Sequence, residues 1–209
     1  MQNNFPYLDI IIFGVIAIFL IFRLKNILGS KTGFEETNNN KKNQDKQFTN
    51  VIPLETNKEN LENIDIEKIL KVDPKFNVVD FLNGSKTFFK MVLDGFVSGN
   101  LDTIKDFIKP SVFKSFKSAI EERNKENESL VIDLKSIQKN NIIKSTITKS
   151  SIKITVRYES SQIRALMDKN DQIIDGNDKE AILVKDEWVY ERKIKYENPN
   201  WTLIETKSY

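Results

Sequence analysis

The stretch IKITVRY, residues 152–158, decides the fold class of this chain of 209 residues. Apolar side chains occupy every second position, at Ile152, Ile154, Val156 and Tyr158, and polar residues stand between them. A period of two places alternate side chains on opposite faces of an extended chain. The stretch therefore predicts a β-strand with one buried face and one face in solvent.

Segments on both sides of this strand also have strand-like patterns. The predicted strands cover 130–135, 152–158, 181–192 and 201–206. Asp175-Gly176 indicates a turn, so that 173–174 would be a short strand of its own, and Asn198-Pro199-Asn200 indicates a second turn. Short turns between strands favour an antiparallel sheet with one polar face, whose other face must be buried against something else.

The residues before the strands show helical periodicity instead. The predicted helices cover 61–72, 78–98 and 101–108, and a further helix starts at Pro110. Asp73-Pro74 and Ser98-Gly99-Asn100 are stop signals, and Asn100 can also cap the helix that follows it. Helices followed by a run of strands give the α+β order, in which the helices cover one face of the sheet.

An unbroken apolar run, IIIFGVIAIFLIF, lies at residues 10–22. Extended to 5–24, it has about 20 residues, enough for a helix to cross ~30 Å of hydrocarbon. The cations Arg23, Lys25 and Lys31 follow it, and only Asp9 carries a side-chain charge before it. The positive-inside rule then predicts a single-pass anchor with the N-terminus outside and the rest in the cytoplasm. A cleaved signal peptide and a buried core helix are the alternatives, but a signal peptide carries its cations before the apolar run.

Residues 25–60 separate this anchor from the folded part. From residue 35 onward they are polar and rich in Asn, Lys and Glu, with few apolar groups to bury. Such a composition cannot offset the entropy of ordering, so we predict a flexible linker. The three predicted parts are an anchor at 5–24, a linker at 25–60 and an α+β domain at 61–209.

The composition excludes several classes of catalytic and metal-binding site. The chain has no cysteine and no histidine, which excludes disulfides, thiolate metal sites and an imidazole base. A net charge of +2 gives no nucleic-acid footprint. Gly84-Ser85-Lys86-Thr87 resembles a phosphate loop only superficially, because the upstream glycine and the preceding strand are missing. We therefore expect no metal, no cofactor and no enzymatic activity.

Large aromatic side chains are the candidate binding residues. They are Phe96, Phe116, Tyr158, Trp188, Tyr190 and Trp201. Packing between sheet and helices is the ordinary use of such residues. Some of them could instead line the concave side of a curved sheet, where an apolar cavity would accept a ligand or a partner's peptide.

Four blocks of the sequence together resemble one known family. They are LDIIIFGVIAIFLIFRLKNILGSKTGFEE (8–36), FFKMVLDGFVSGNLDTIKDFIKPSVFKSFKSAIEER (88–123), KITVRYESSQI (153–163) and DEWVYERKIKYENPNWTLIET (186–206). In order and content they resemble bacterial, membrane-anchored proteins of the Tim44-like family. The Asp186-x-Trp188 to Glu191-Arg192 stretch and the Pro199-Asn200-Trp201 ending are the most specific pieces.

The resemblance implies a cone-shaped α+β fold of the nuclear-transport-factor-two type, with helices on a strongly curved antiparallel sheet. It also implies a scaffolding role, since mitochondrial relatives link an import channel to a chaperone of the DnaK class and touch anionic lipid. For this chain we expect the bacterial inner membrane and a protein partner: a translocase, a chaperone or another membrane protein. The alternatives are a domain that binds lipid or a small ligand, and an enzyme, which would need Asp186 or Tyr190 buried in the cavity with a shifted pKa.

Overall fold

The computed structural model describes residues 64–194 and 200–209. The predicted anchor at 5–24, the linker at 25–60 and most of the Asn198-Pro199-Asn200 turn lie outside the described residues. No helix in the described part of the chain is both long and apolar enough to cross a bilayer.

Three α-helices come first: α1 (Ile66–Val72), α2 (Val78–Ser98) and α3 (Pro110–Lys125). The Asn77 side chain caps α2 by accepting hydrogen bonds from the amides of Val79 and Asp80, at 2.8 and 3.1 Å. Gly99 ends α2 with a φ of 77°, a left-handed conformation that costs glycine little. These bounds confirm the predicted helix over 78–98 and the start of a helix at Pro110.

The predicted helix over 101–108 is wrong. The chain there forms turns and a single 3₁₀ turn, Lys105–Phe107. Ile108 is extended and bridges to Leu203, and the next amide, of Lys109, donates to the Leu203 carbonyl at 2.8 Å. Leu101, Ile104 and Ile108 are all buried. Their helix-like spacing therefore reflects burial, and pairing with the last strand overrides the local preference for a helix.

Four antiparallel strands follow: β1 (Ser129–Ile147), β2 (Ser151–Met167), β3 (Ile173–Lys193) and β4 (Thr202–Ser208). They form one open sheet in the order β1-β2-β3-β4. The alternating apolar residues of β2, from Ile152 to Tyr158, are fully buried at 0% exposure, as their period predicted. Helices packed on one face of an antiparallel sheet confirm the α+β class.

The turn predicted at Asp175-Gly176 is wrong, because both residues pair with β2 inside one strand, and a bulge follows them. Arg164 pairs with Asn177 and Gln162 pairs with Ile182, so residues 178–181 of β3 all lie opposite Ile163. Gly176 has a φ of 78°, and a Cβ there would lie 2.2 Å from the Arg164 carbonyl oxygen. Residues 173–174 therefore belong to β3 and do not form a separate strand. Extra residues of this kind bend a strand and increase its twist.

Candidate functional site

Tyr158 and Tyr190 meet at the centre of the interface between sheet and helices. Their hydroxyls lie 2.8 Å apart, and the Tyr158 hydroxyl donates to the Ser85 carbonyl at 3.2 Å. Tyr190 is therefore the donor between the two hydroxyls. Burial raises the pKa of both phenols, so both remain protonated at neutral pH. The pair fixes β2 and β3 against α2 and offers no phenolate for chemistry.

Trp188 completes an aromatic cluster around this pair. The Phe89 ring is stacked on Tyr158 at 4.4 Å between centroids and lies 4.8 Å from the Trp188 ring. Tyr158 and Trp188 are 0% and 1% exposed. Such buried ring pairs add about 0.5–1.5 kcal/mol each beyond the area that they bury. The cluster is primarily the core of the domain.

Phe96 and Phe116 form a second contact, between α2 and α3. Their ring centroids are 5.8 Å apart. The Arg123 guanidinium lies over the Phe96 ring and donates to the carbonyls of Phe96 and Val97, at 3.0 and 3.1 Å. Burial lowers the pKa of Arg123, and the nearby Glu128 carboxylate opposes that shift. Arg123 therefore satisfies the C-terminal carbonyls of α2 from inside the fold.

Trp201 directly precedes β4, at one end of the sheet. Its ring contacts Phe81 at 4.8 Å and Phe76 at 5.9 Å, and the Arg192 guanidinium lies over it at 5.1 Å. Arg192 also forms an ion pair with Asp73, at the end of α1. Trp201 thus ties β3 and the start of β4 to the segment between α1 and α2.

A cavity of about 210 Å³ lies between α2, the start of β1, the end of β2 and the bulged part of β3. Its apolar walls are Leu93, Phe96, Leu130, Ile132, Ala165, Leu166, Ile182 and Trp188, and Gly176 with the polar Arg164, Asp175, Asn177, Glu180 and Asp186 completes them. Of the six predicted binding residues, Phe96 and Trp188 line this cavity. Phe116, Tyr158, Tyr190 and Trp201 pack elsewhere in the fold.

Asp186 is the most buried polar group of the cavity wall, at 2% exposure. The Ser208 hydroxyl donates to its Oδ1 atom, and its Oδ2 atom has no hydrogen-bond partner among the described residues. Burial raises the pKa of Asp186 above its ordinary value, and the Ser208 hydrogen bond and the Arg164 charge oppose this rise. The Trp188 Nε1 atom is also buried without a partner in the described part of the chain.

A short polar chain runs from the cavity into β2. The Arg164 Nε atom donates to Gln162 Oε1 at 2.8 Å, and Gln162 Nε2 donates to the Ser160 hydroxyl at 2.6 Å. Sequence reasoning missed Arg164 and Gln162. Gln162 could have been found, because it continues the buried alternation of Ile152 to Tyr158. Arg164, two residues further on, extends the same alternation and could have been found in the same way.

This arrangement suits recognition more than reaction chemistry. The cavity wall is mostly apolar and includes a few hydrogen-bond groups, which is the usual composition of a binding pocket. Asp186 meets the burial and pKa requirements set above for an enzyme, whereas Tyr190 does not reach the cavity. Within 64–194 and 200–209, no group of carboxylates is arranged to hold a metal ion.

A family model described as the Tim44-like domain matches residues 64–208. No curated protein matches the sequence. Among solved structures, the fold is similar to the crystal structure of the intermembrane space region of the chloroplast protein ARC6. That match has 10% sequence identity and a TM-score of 0.45, and it covers 65% of this chain and 98% of the other.

Proposed function

This chain belongs to the Tim44-like domain family, and on that premise we propose that it is a membrane-anchored, non-catalytic scaffold whose folded domain binds a protein partner. The anchor is the apolar segment at 5–24, and the linker at 25–60 tethers the domain on the cytoplasmic side of a bacterial inner membrane. The partner is a translocase, a chaperone or another membrane protein, in a process linked to protein translocation. We also propose that the domain has the cone shape that the family resemblance implies.

The observation that carries the proposal is the extent of the family match. It spans residues 64–208, almost the whole described domain, and relatives in this family are linked to protein translocation and import scaffolding. Ile182 in the cavity wall is 49% exposed, and its neighbour Leu183, on the opposite face of the strand, is 53% exposed, so each face of the sheet presents an apolar side chain here.

Chemical crosslinking in intact source cells tests the partner. The full chain and an anchor-only chain, 1–60, would be expressed at equal levels and captured after crosslinking. We expect one or a few proteins that are recovered with the full chain and are absent with the anchor-only chain. Identical recoveries from the two chains would refute the scaffold proposal.

The absence of native cysteine makes the predicted topology directly measurable. Single-cysteine variants Gln2→Cys and Lys117→Cys would be treated with a membrane-impermeant maleimide in spheroplasts. We expect label on Gln2→Cys in intact spheroplasts, and label on Lys117→Cys only after lysis. Labelling of Lys117→Cys in intact spheroplasts would contradict a cytoplasmic domain.

The cavity supports a second candidate function, the binding of a lipid or small ligand. Asp186 and Trp188 each hold a buried polar atom without a partner among the described residues, in a wall that is otherwise mostly apolar. A ligand with an apolar body and a polar end would match such a wall. Native mass spectrometry of the full chain tests this function: a retained small molecule that is lost in Leu130→Trp supports it, and a mass equal to that of the bare chain refutes it.

A further inference from the structure

Two residues of the cavity wall each hold a buried polar atom with an unmet capacity for hydrogen bonding. Asp186 Oδ2 and Trp188 Nε1 have no hydrogen-bond partner among residues 64–194 and 200–209. Buried polar atoms in proteins nearly always have one, because giving up water without a replacement is costly. Since both residues line the cavity, a molecule inside it is placed to supply the missing partners.

The two residues lie on the same face of β3. They are two positions apart in the strand, which separates them by about 6.5–7 Å along its axis. One oxygen atom that makes a hydrogen bond of about 2.8 Å on each of two sides spans most of that distance. A single small polar group can therefore serve both residues.

The kind of polar group follows from the two atoms. Trp188 Nε1 can only donate, so its partner must accept. Asp186 Oδ2 accepts when the carboxyl group is ionised and can donate when it is protonated, and burial raises the pKa of Asp186. A hydroxyl group has one donor and two acceptor lone pairs. It therefore satisfies Trp188 together with either form of Asp186.

A charged group matches the same wall less well. A carboxylate would accept from Trp188 but would require Asp186 to keep its proton, whereas an ammonium would donate to Asp186 and leave Trp188 without an acceptor. Either charge would also lose its water against a wall that is mostly apolar. We therefore expect the ligand to be uncharged.

The volume of the cavity limits the apolar body of the ligand. An apolar protein cavity of about 150 Å³ holds a benzene molecule, and this cavity measures about 210 Å³. One ring with a short side chain, about eight or nine non-hydrogen atoms, fills such a volume. A phospholipid with two acyl chains is too large to enter as a whole.

We propose that this cavity binds a small, uncharged amphiphile, with an apolar body of single-ring size and a hydroxyl group that bonds to both Asp186 and Trp188. The apolar body contacts the aliphatic part of the wall and the Phe96 ring. The inference rests on the second candidate function, ligand binding in the cavity, and names the chemical class of that ligand.

The indole N–H group of Trp188 reports on the site directly. The chain has two tryptophans, and Trp201 packs against Phe76 and Phe81 instead of lining the cavity. A heteronuclear NMR spectrum of the full chain in detergent, with isotope-labelled indole nitrogens, therefore contains the reporter and an internal control. We expect phenethyl alcohol to move the Trp188 N–H proton signal downfield, as a new hydrogen bond does, and to leave the Trp201 signal in place.

Three further probes of similar size test the polar end of the ligand. Propylbenzene replaces the hydroxyl with a methyl group, phenethylamine carries a cation and phenylacetate carries an anion. Titrations followed at Trp188, with concentrations corrected for uptake into detergent, should show each of them binding at least about tenfold more weakly than phenethyl alcohol. Propylbenzene leaves both buried atoms without partners, and the charged probes must lose their water.

Two variants of Asp186 test its part in recognition. Asp186→Leu removes the polar group, so the preference for phenethyl alcohol over propylbenzene should fall to within about threefold. Asp186→Asn should keep the preference, because its amide still forms a hydrogen bond with a hydroxyl. The preference is a ratio measured within one variant, so a change in the stability of the domain does not alter its meaning.

Three results would overturn the assignment of the ligand class. They are binding of propylbenzene as tight as that of phenethyl alcohol, tighter binding of either charged probe, and a Trp188 signal that no probe moves. Tighter binding of phenylacetate would mean that Arg164, the cation of the wall, recognises the polar end. If native mass spectrometry still finds a retained small molecule when these results appear, ligand binding stands and only its chemical class fails.

Discussion

Arg123 shows how one buried cation organises the ends of two helices. It lies near the end of α3, and its guanidinium donates to the last carbonyls of α2 while it covers the Phe96 ring. The carbonyls of Phe96 and Val97 would otherwise face the core without a donor, a cost that proteins avoid. The residue is thus a buried cap for α2.

Replacing Arg123 by methionine should destabilise the domain. Methionine keeps much of the apolar stem but removes both donors, and hydrogen bonds of a charged group contribute about 1.5–3 kcal/mol. We expect a loss of that size in the free energy of unfolding, measured by urea denaturation. Lys114→Met, an exposed change on the same helix, should alter stability by less than about 0.5 kcal/mol. Equal effects of the two changes would show that Arg123 is not a cap.

Asp186 should give the domain a measurable dependence on pH. Its pKa is raised in the folded state, so the folded chain holds the proton more tightly than the unfolded chain does. Its contribution to stability is fully present below the unfolded pKa of about 4 and is lost as pH rises through the folded pKa. Asparagine at this position cannot ionise. We therefore expect Asp186→Asn to gain stability relative to wild type as pH rises from about 4 to about 7.

Urea denaturation of both proteins across this range measures that difference, in which the other titrating groups cancel. A difference that stays constant with pH would show that folding leaves the pKa of Asp186 unchanged, and one that shifts towards wild type as pH rises would show that folding lowers it.

At the scale of elements, local sequence patterns predicted the helices and strands for which local preference and tertiary contacts favour the same structure. The alternation at 152–158 predicted β2, because buried and half-buried residues alternate there from Ile152 to Gln162. The end of the helix at Gly99 was also predicted correctly, because this signal depends only on neighbouring residues. The prediction of a helix over 101–108 was wrong because Ile108 is extended and pairs with Leu203. The predicted turn at Asp175-Gly176 was wrong because these residues pair with Leu166 and Ala165 inside β3, and the bulge lies after them, at 178–181.

Two glycines with different backbone requirements test these assignments of β3 and α2. At Gly176 a side chain would have to adopt a φ of 78° and meet the Arg164 carbonyl, so Gly176→Ala should cost more than about 1–2 kcal/mol. Gly84 lies in the middle of α2 with no atom within 4 Å of an added Cβ. There alanine should stabilise the domain by about 0.5–1 kcal/mol. Thermal unfolding of both variants should therefore give shifts of opposite sign; a neutral Gly176→Ala would contradict the left-handed backbone and the close Arg164 carbonyl at Gly176.

For the whole molecule, sequence reasoning reached the fold class and the family but only part of the cavity. Aromatic residues are recognisable from sequence as large and buried, yet only Phe96 and Trp188 line the cavity. Whether an aromatic residue packs in the core or lines the cavity depends on where the strands bulge. The positions of the bulges follow from strand register, which cannot be read from the sequence.

Site-resolved photocrosslinking in intact source cells measures most directly whether the domain holds a protein partner. A photoreactive residue would replace Leu183 in one full-length variant and Lys117, exposed on α3, in another. We expect a discrete light-dependent adduct from position 183 and none from position 117. No adduct above the dark control from position 183, or the same adducts from both positions, would contradict a partner-binding domain.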